Sequence, residues 1–120
     1  MSRPLHVLHL EDNHDYSSLV ASKLEAEGLP ALGFVHLMPS ISTVAMRPIW
    51  LLEDLFVVPA GRRKGVATAL MTYAENFARE TGAERLTLAT AHDNRQAQSL
   101  YLSLGYLKEE HFWYYHRVLG

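Results

Sequence analysis

Apolar residues along this chain switch between a spacing of two and a spacing near 3.6, and the switches predict its elements. Leu5-His6-Val7-Leu8-His9-Leu10 alternates weakly, is rich in branched side chains and ends at Glu11-Asp12-Asn13, so it predicts a strand feeding a loop. Tyr16, Leu19, Val20 and Leu24 then fall at helical spacing. Asp12 or Asn13 can cap that start and Gly28-Leu29-Pro30 can end it, so a helix is expected there. Two strand-like runs follow, Gly33–Met38 and Ile49–Val58, with the turn-prone Pro39-Ser40 and the Arg47-Pro48 corner between them, which predicts a hairpin. After Pro59-Ala60-Gly61 the residues Val66, Leu70, Tyr73, Ala74 and Phe77 form one helical stripe, and Gly82 stands where a C-terminal cap belongs. Arg85–Thr90 predicts a strand. Asp93-Asn94 can cap a following helix that buries Ala97, Leu100, Tyr101 and Leu104 before Gly105. Phe112–Val118 is an aromatic run expected as a final strand. The order is therefore β-α-β-β-α-β-α-β(β), an α/β chain with a mixed central sheet flanked by helices.

Length and composition narrow what such a fold can do. At 120 residues and 48% hydrophobic, the chain suits one domain with a real core, residues 1–120. A net charge of -2 supplies no field to gather nucleic acid or an anionic membrane, so neither is expected as a partner and any anion must be recognised locally. Without cysteine there are no disulfides, thiolate zinc sites or cysteine nucleophiles, which fits a reducing compartment such as the cytoplasm. The N-terminus carries no apolar run of signal-peptide type, and no stretch approaches the ~20 apolar residues of a membrane span. The seven histidines show no metal-ligand spacing, and neither His36 nor His92 is assigned a role. Phe112–Tyr115 is expected as sheet core rather than a base-stacking surface.

One segment carries chemistry. A strand ending at Val58, a short basic turn with a glycine, and a long helix starting near Gly65 together suit phosphate. The first-turn amides of a helix lack internal partners and the helix dipole adds positive potential there, so a diphosphate can accept several N–H groups at once. Side chains at Gly65 and Ala67 are too small to hold the backbone away from a ligand, and Arg62, Arg63 and Lys64 add charge. By itself the same turn could be a solvated basic cap.

Context extends this. The run Glu53-Asp54-Leu55-Phe56-Val57-Val58-Pro59 followed by Arg62-x-x-Gly65-x-Ala67 resembles the signature of the GNAT family of N-acetyltransferases, Arg/Gln-x-x-Gly-x-Gly/Ala. Thr87–Tyr106 resembles that family's next segment, with Asn94, Ala97, Leu100-Tyr101 and Leu104-Gly105-Tyr106 in place. The resemblance spans residues 33–119 and implies an acetyl-CoA-binding core over 33–120 of a truncated GNAT-like acyl-CoA N-acyltransferase fold. It implies that the strand through Leu55, Phe56 and Val57 splays from Leu86–Ala89 and pairs with the pantetheine arm. Arg62, Arg63, Lys64, Gly65, Val66, Ala67 and Thr68 would hold the pyrophosphate. Asn94 would be either a coenzyme contact or a plain helix cap. Tyr101 would be the acid that protonates the departing thiolate, or else a buried tyrosine. Glu53 would be the base toward an amine acceptor, small molecule or peptide, or else a solvated carboxylate; in a regular strand Asp54 faces the other way. A backbone amide near Phe56 or Val57 would polarise the thioester carbonyl.

The opening departs from that pattern. Relatives place a strand, two helices and a strand before the equivalent of Gly33, whereas this chain has 32 residues there. Val7-Leu8-His9-Leu10-Glu11-Asp12-Asn13-His14-Asp15-Tyr16, with Leu19-Val20, Leu24 and Glu27-Gly28, resembles the start of a response-regulator receiver domain, but no later strand supplies its phosphoaspartate or lysine. Residues 1–32 are thus an atypical strand and helix, and a chimera of a receiver-derived start with an acetyltransferase core is one expectation. Right-handed crossover would lay Leu5–Leu10 beside the sheet. A diverged family start, or completion of the core by a homodimer, are the others. Acetyl-CoA-dependent N-acetyl transfer by direct attack is the first functional expectation, and a non-catalytic scaffold that keeps the fold or the coenzyme cradle is the alternative.

Overall fold

The structure is a computed structural model that describes residues 5–14, 17–26, 31–62 and 65–120, with side chains from Leu32 onward. Residues up to Ala89 form one compact unit and Thr90–Gly120 a second.

The first unit is a five-stranded mixed sheet with one long helix. Its strands are β1 (Leu5–His14), β2 (Ser17–Ala26), β3 (Ala31–Ser42), β4 (Arg47–Val57) and β5 (Leu86–Leu88), in that spatial order. The first four are antiparallel neighbours, and β5 lies parallel to β4 after the crossover through helix α1 (Val66–Glu80). An α/β architecture with a mixed sheet therefore stands, but the order at its start is corrected. The helix expected from Tyr16 through Leu24 is instead strand β2, paired along Leu5↔Ala26 to His14↔Ser17 on one side and Val20↔Leu37 to Leu24↔Gly33 on the other. Two hydrogen-bonded ladders outweigh a weak local helical spacing, and propensity yields to tertiary pairing. Leu5–Leu10 does join the sheet, as an edge reached through an antiparallel pair rather than a crossover. Tyr16 itself and the expected Gly28-Leu29-Pro30 terminator lie outside the described residues.

The β3–β4 hairpin also turns elsewhere than expected. Its turn is Thr43–Met46, not Pro39-Ser40 or Arg47-Pro48, and Pro39 sits within β3 opposite Trp50. Proline is tolerated there because β2 pairs with β3 only as far as Leu37, so that side asks no N–H of residue 39. Ser42 Oγ accepts from the Ala45 amide at 3.2 Å and holds the turn.

Helix α1 covers one face of this sheet. Val66, Leu70, Met71 and Ala74 are at most 1% exposed, as are Val35 and Leu37 of β3, which places the core between helix and sheet. The expected stripe of Val66, Leu70 and Ala74 is the buried one; Tyr73 and Phe77 are half-buried at its flank. Trp50 packs edge-on against Phe77, ring centroids 5.0 Å apart, and its indole Nε1–H donates to Thr81 Oγ1 at 2.8 Å. Gly82, at φ 77°, ends the helix as expected.

The second unit holds helix α2 (Arg95–Ser103), capped by Asn94, whose side-chain oxygen accepts from the Ala97 amide at 3.2 Å. Phe112–Val118, expected as a strand, has no regular structure, and Phe112, Trp113, Tyr114 and Tyr115 are 71% to 91% exposed. A strand is held by its neighbour, and this run makes no ladder that could keep its aromatic alternation extended.

Candidate active site

Parallel pairing between β4 and β5 is short. It comprises Trp50↔Leu86, Leu51↔Thr87 and Leu52↔Leu88, whereas β4 runs on to Val57. Among the described residues no strand pairs with Glu53–Val57 on that side, so its backbone groups are available to an extended polar ligand. On the other side the same stretch is fixed by β3, from Asp54↔His36 to Val57↔Gly33.

The open side of β4 leads to the start of α1. The Val58 amide donates to the Leu32 carbonyl at 2.9 Å, and Pro59–Gly61 then makes one short 3-10 turn. Arg62 Nε–H donates to the Val57 carbonyl at 3.4 Å, which folds its guanidinium back over the strand end. Gly65 is the N-cap residue at φ 75°, ψ 12°, a left-handed conformation that suits glycine, and no side chain among the described residues caps the helix. The Gly65 carbonyl accepts from Ala69, so the amides of Val66, Ala67 and Thr68 stand before this bond and have no backbone acceptor among the described residues. A Cβ built on Gly65 meets nothing within 4 Å among the described residues. The Val66 side chain is buried and anchors the turn, with no acidic residue in it. The cradle thus brings together Leu55, Phe56, Val57, Arg62, Gly65, Val66, Ala67 and Thr68 of the expected set. Arg63 and Lys64 lie outside the described residues.

The candidate base sits on an irregularity that sequence reasoning missed. Between His36↔Asp54 and Leu37↔Leu52 the register shifts, which makes Glu53 the extra residue of a β-bulge. Glu53 and Asp54 are both exposed. The premise of a regular strand, from which opposite directions were expected for these two residues, therefore fails. Nothing in the local sequence marks the bulge beyond two consecutive carboxylates inside an apolar strand. Asp54 instead faces His36, with Oδ2 to Nδ1 at 3.5 Å.

Asn94 and Tyr101 belong to the second unit. Asn94 is a helix cap, one of its two expected roles. Tyr101 is half-buried with its ring centroid 5.9 Å from that of Tyr106. Burial pushes its hydroxyl above the ordinary value of 10.0; like any tyrosine it is protonated at neutral pH.

Comparison with known proteins follows the same lines. The model of the acetyltransferase (GNAT) family matches residues 3–106. The uncharacterized N-acetyltransferase YhfO of Bacillus subtilis is 41% identical over 104 residues, covering 87% of this chain and 67% of that protein. An aminoglycoside N(6')-acetyltransferase type 1 from Acinetobacter haemolyticus is 34% identical over 72 residues, 60% of this chain; there the chain spans 50% of the relative's length. The crystal structure of a probable acetyltransferase superposes with a TM-score of 0.79 at 34% identity, over 85% of this chain and 68% of that one. The aminoglycoside N-acetyltransferase AAC(6')-Iy in complex with CoA gives 0.70 at 25% identity, over 88% and 79%. A β4 edge left open among the described residues, running toward a helix that starts at a glycine, is thus found in a chain that, by a match over most of its residues, belongs to the GNAT family of acetyltransferases.

Proposed function

We propose that this protein moves the acetyl group of acetyl-CoA to an amine by direct transfer. The observation that carries the proposal is the continuity of a β4 edge unpaired among the described residues with the glycine start of α1. A pantetheine arm can take the first, and a pyrophosphate can take the amides of Val66, Ala67 and Thr68 with Arg62 beside them. Relatives named as N-acetyltransferases support the same chemistry.

In this reaction the amine nitrogen attacks the thioester carbonyl carbon, and the carbon–sulfur bond breaks as the amide forms. The amine must be neutral to attack. Glu53, exposed on its bulge, accepts the proton directly or through water. A backbone amide of Phe56 or Val57 stabilises the carbonyl oxygen as charge develops on it. Tyr101, whose hydroxyl is protonated at neutral pH, supplies a proton to the leaving thiolate. Residues 5–29 are best taken as a diverged start of the same family rather than a receiver-derived segment. Support comes from the family match, which begins at residue 3, and from the strand at Ser17–Ala26.

The test is thermal melting with acetyl-CoA, followed by thiol release with a panel of amines. Ligand at 100 times its dissociation constant adds about 2.7 kcal/mol to a folded protein. An unchanged melting temperature at millimolar coenzyme would falsify the proposal. Coenzyme binding without thiol release from any amine would favour the scaffold alternative.

A further inference from the structure

The sheet face opposite α1 carries a second cluster. Along β3, Val35 and Leu37 are fully buried toward the helix, so the alternate residues Phe34 and His36 stand on the other face. Their cross-strand partners on β4 are Phe56 and Asp54. Directly opposed residues share a face, so these four side chains form a two-by-two patch beside the bulge at Glu53.

The chemistry of the patch is specific. The Phe34 and Phe56 rings are tilted at 36° with centroids 5.8 Å apart, and they remain 38% and 46% exposed. Next to them the Asp54 carboxylate is two-thirds open to solvent, steered on one side by His36 Nδ1 at 3.5 Å. His36 Nε2 is buried with no hydrogen-bond partner among the described residues, an orphan polar atom in the same patch. Exposed aromatic faces attract cations through the ring quadrupole, and a carboxylate beside them adds direct charge and strong acceptors. An anion would be repelled here and a neutral alcohol would use neither feature.

We propose that Phe34, Phe56, Asp54 and His36 form the seat for the acceptor as a primary ammonium group, with the Asp54 carboxylate and the two aromatic rings taking the charge. This rests on the acetyl-transfer proposal and adds to it the face from which the acceptor approaches and the charge state in which it binds. Glu53, one residue away on the bulge, is then the carboxylate left to accept the proton. All four residues lie on paired strands, so the seat is preorganised by the sheet rather than by a loop.

Titration of the full chain with 1,4-diaminobutane, followed by amide NMR, tests this without turnover. Shifts are expected at Phe34, His36, Asp54 and Phe56, and 1,4-butanediol should produce none. Asp54→Asn should weaken diamine binding about 10-fold or more, the scale for a hydrogen bond to a charged group. Phe34→Leu should weaken it about 2- to 5-fold, the scale of an exposed cation–π contact. In the thiol-release assay the same variants should raise the acceptor KM by those factors and leave the melting shift with acetyl-CoA unchanged. A lysine-containing pentapeptide as a second probe separates a protein side chain from a free diamine as the source of the ammonium. Diamine shifts confined to other residues, or Asp54→Asn binding equal to wild type, would overturn the proposal even where coenzyme binds. Absence of coenzyme binding would count against acetyl transfer alone, because the diamine titration reads the seat independently.

Discussion

Gly65 and Gly82 bracket the same helix in the same left-handed conformation, and only one of them adjoins the proposed coenzyme site. Their φ angles are 75° and 77°, and a Cβ built on either meets nothing within 4 Å. Alanine at either position therefore costs only the left-handed backbone penalty of about 1–2 kcal/mol, with no steric clash added. Unfolding entropy near 2.1 cal/mol/K per residue gives about 0.25 kcal/mol/K for 120 residues, so each variant should melt about 4–8 °C lower. Coenzyme separates the two. At 100 times its dissociation constant acetyl-CoA should raise the melting temperature of wild type and Gly82→Ala by about 11 °C, from the corresponding ~2.7 kcal/mol. The proposed diphosphate seat adjoins residue 65, so a methyl group there is expected to hinder the ligand. A 10-fold weaker Gly65→Ala would gain only about 1.4 kcal/mol at the same concentration, or about 6 °C. Gly65→Asn sharpens the comparison, because asparagine tolerates the left-handed region while its side chain still obstructs the cradle. Differential scanning fluorimetry with a coenzyme titration measures all four proteins. If Gly65→Ala and Gly65→Asn keep the full coenzyme shift while losing stability as Gly82→Ala does, the diphosphate does not sit at this helix start.

Two further predictions concern the packing and the acid. Thr81→Val removes the acceptor of the buried Trp50 indole N–H, and an orphaned buried donor costs about 1–3 kcal/mol. In a Trp50→Phe background the same change should cost less, and a urea-denaturation double-mutant cycle reads the difference; equal costs would show that the hydrogen bond contributes nothing. Tyr101→Phe should lower the acetylation rate more than the coenzyme affinity, and a fall in affinity alone would remove Tyr101 as the acid. Because burial raises the folded-state pKa of Tyr101, its contribution to stability is intact below the unfolded value near 10 and is lost as pH climbs past it. Alkaline unfolding monitored by circular dichroism should accordingly be less steep above pH 10 in Tyr101→Phe.

Local signals were sufficient for those parts of the molecule that local forces decide. The stripe Val66-Leu70-Ala74, the exit at Gly82, the Asn94 cap and the glycine at the start of α1 depend on residues within a turn or two of each other, and all are where the amino-acid pattern places them. The proposed phosphate cradle belongs to this class, since its described part is the glycine at the start of α1 and the helix that follows it. Pairing decided the rest. Ser17–Ala26 became a strand because β1 and β3 both offered ladders, and Phe112–Val118 failed to become one where no ladder formed. The bulge at Glu53 exists only in the register between β3 and β4, and that register sets His36 against Asp54 and Phe34 against Phe56. Helix signals are written between residues three and four apart, whereas strand identity and face are fixed by a partner far away in sequence. The chain alone therefore determined the proposed coenzyme end of the site, and tertiary structure decided which side chains stand at its proposed acceptor end.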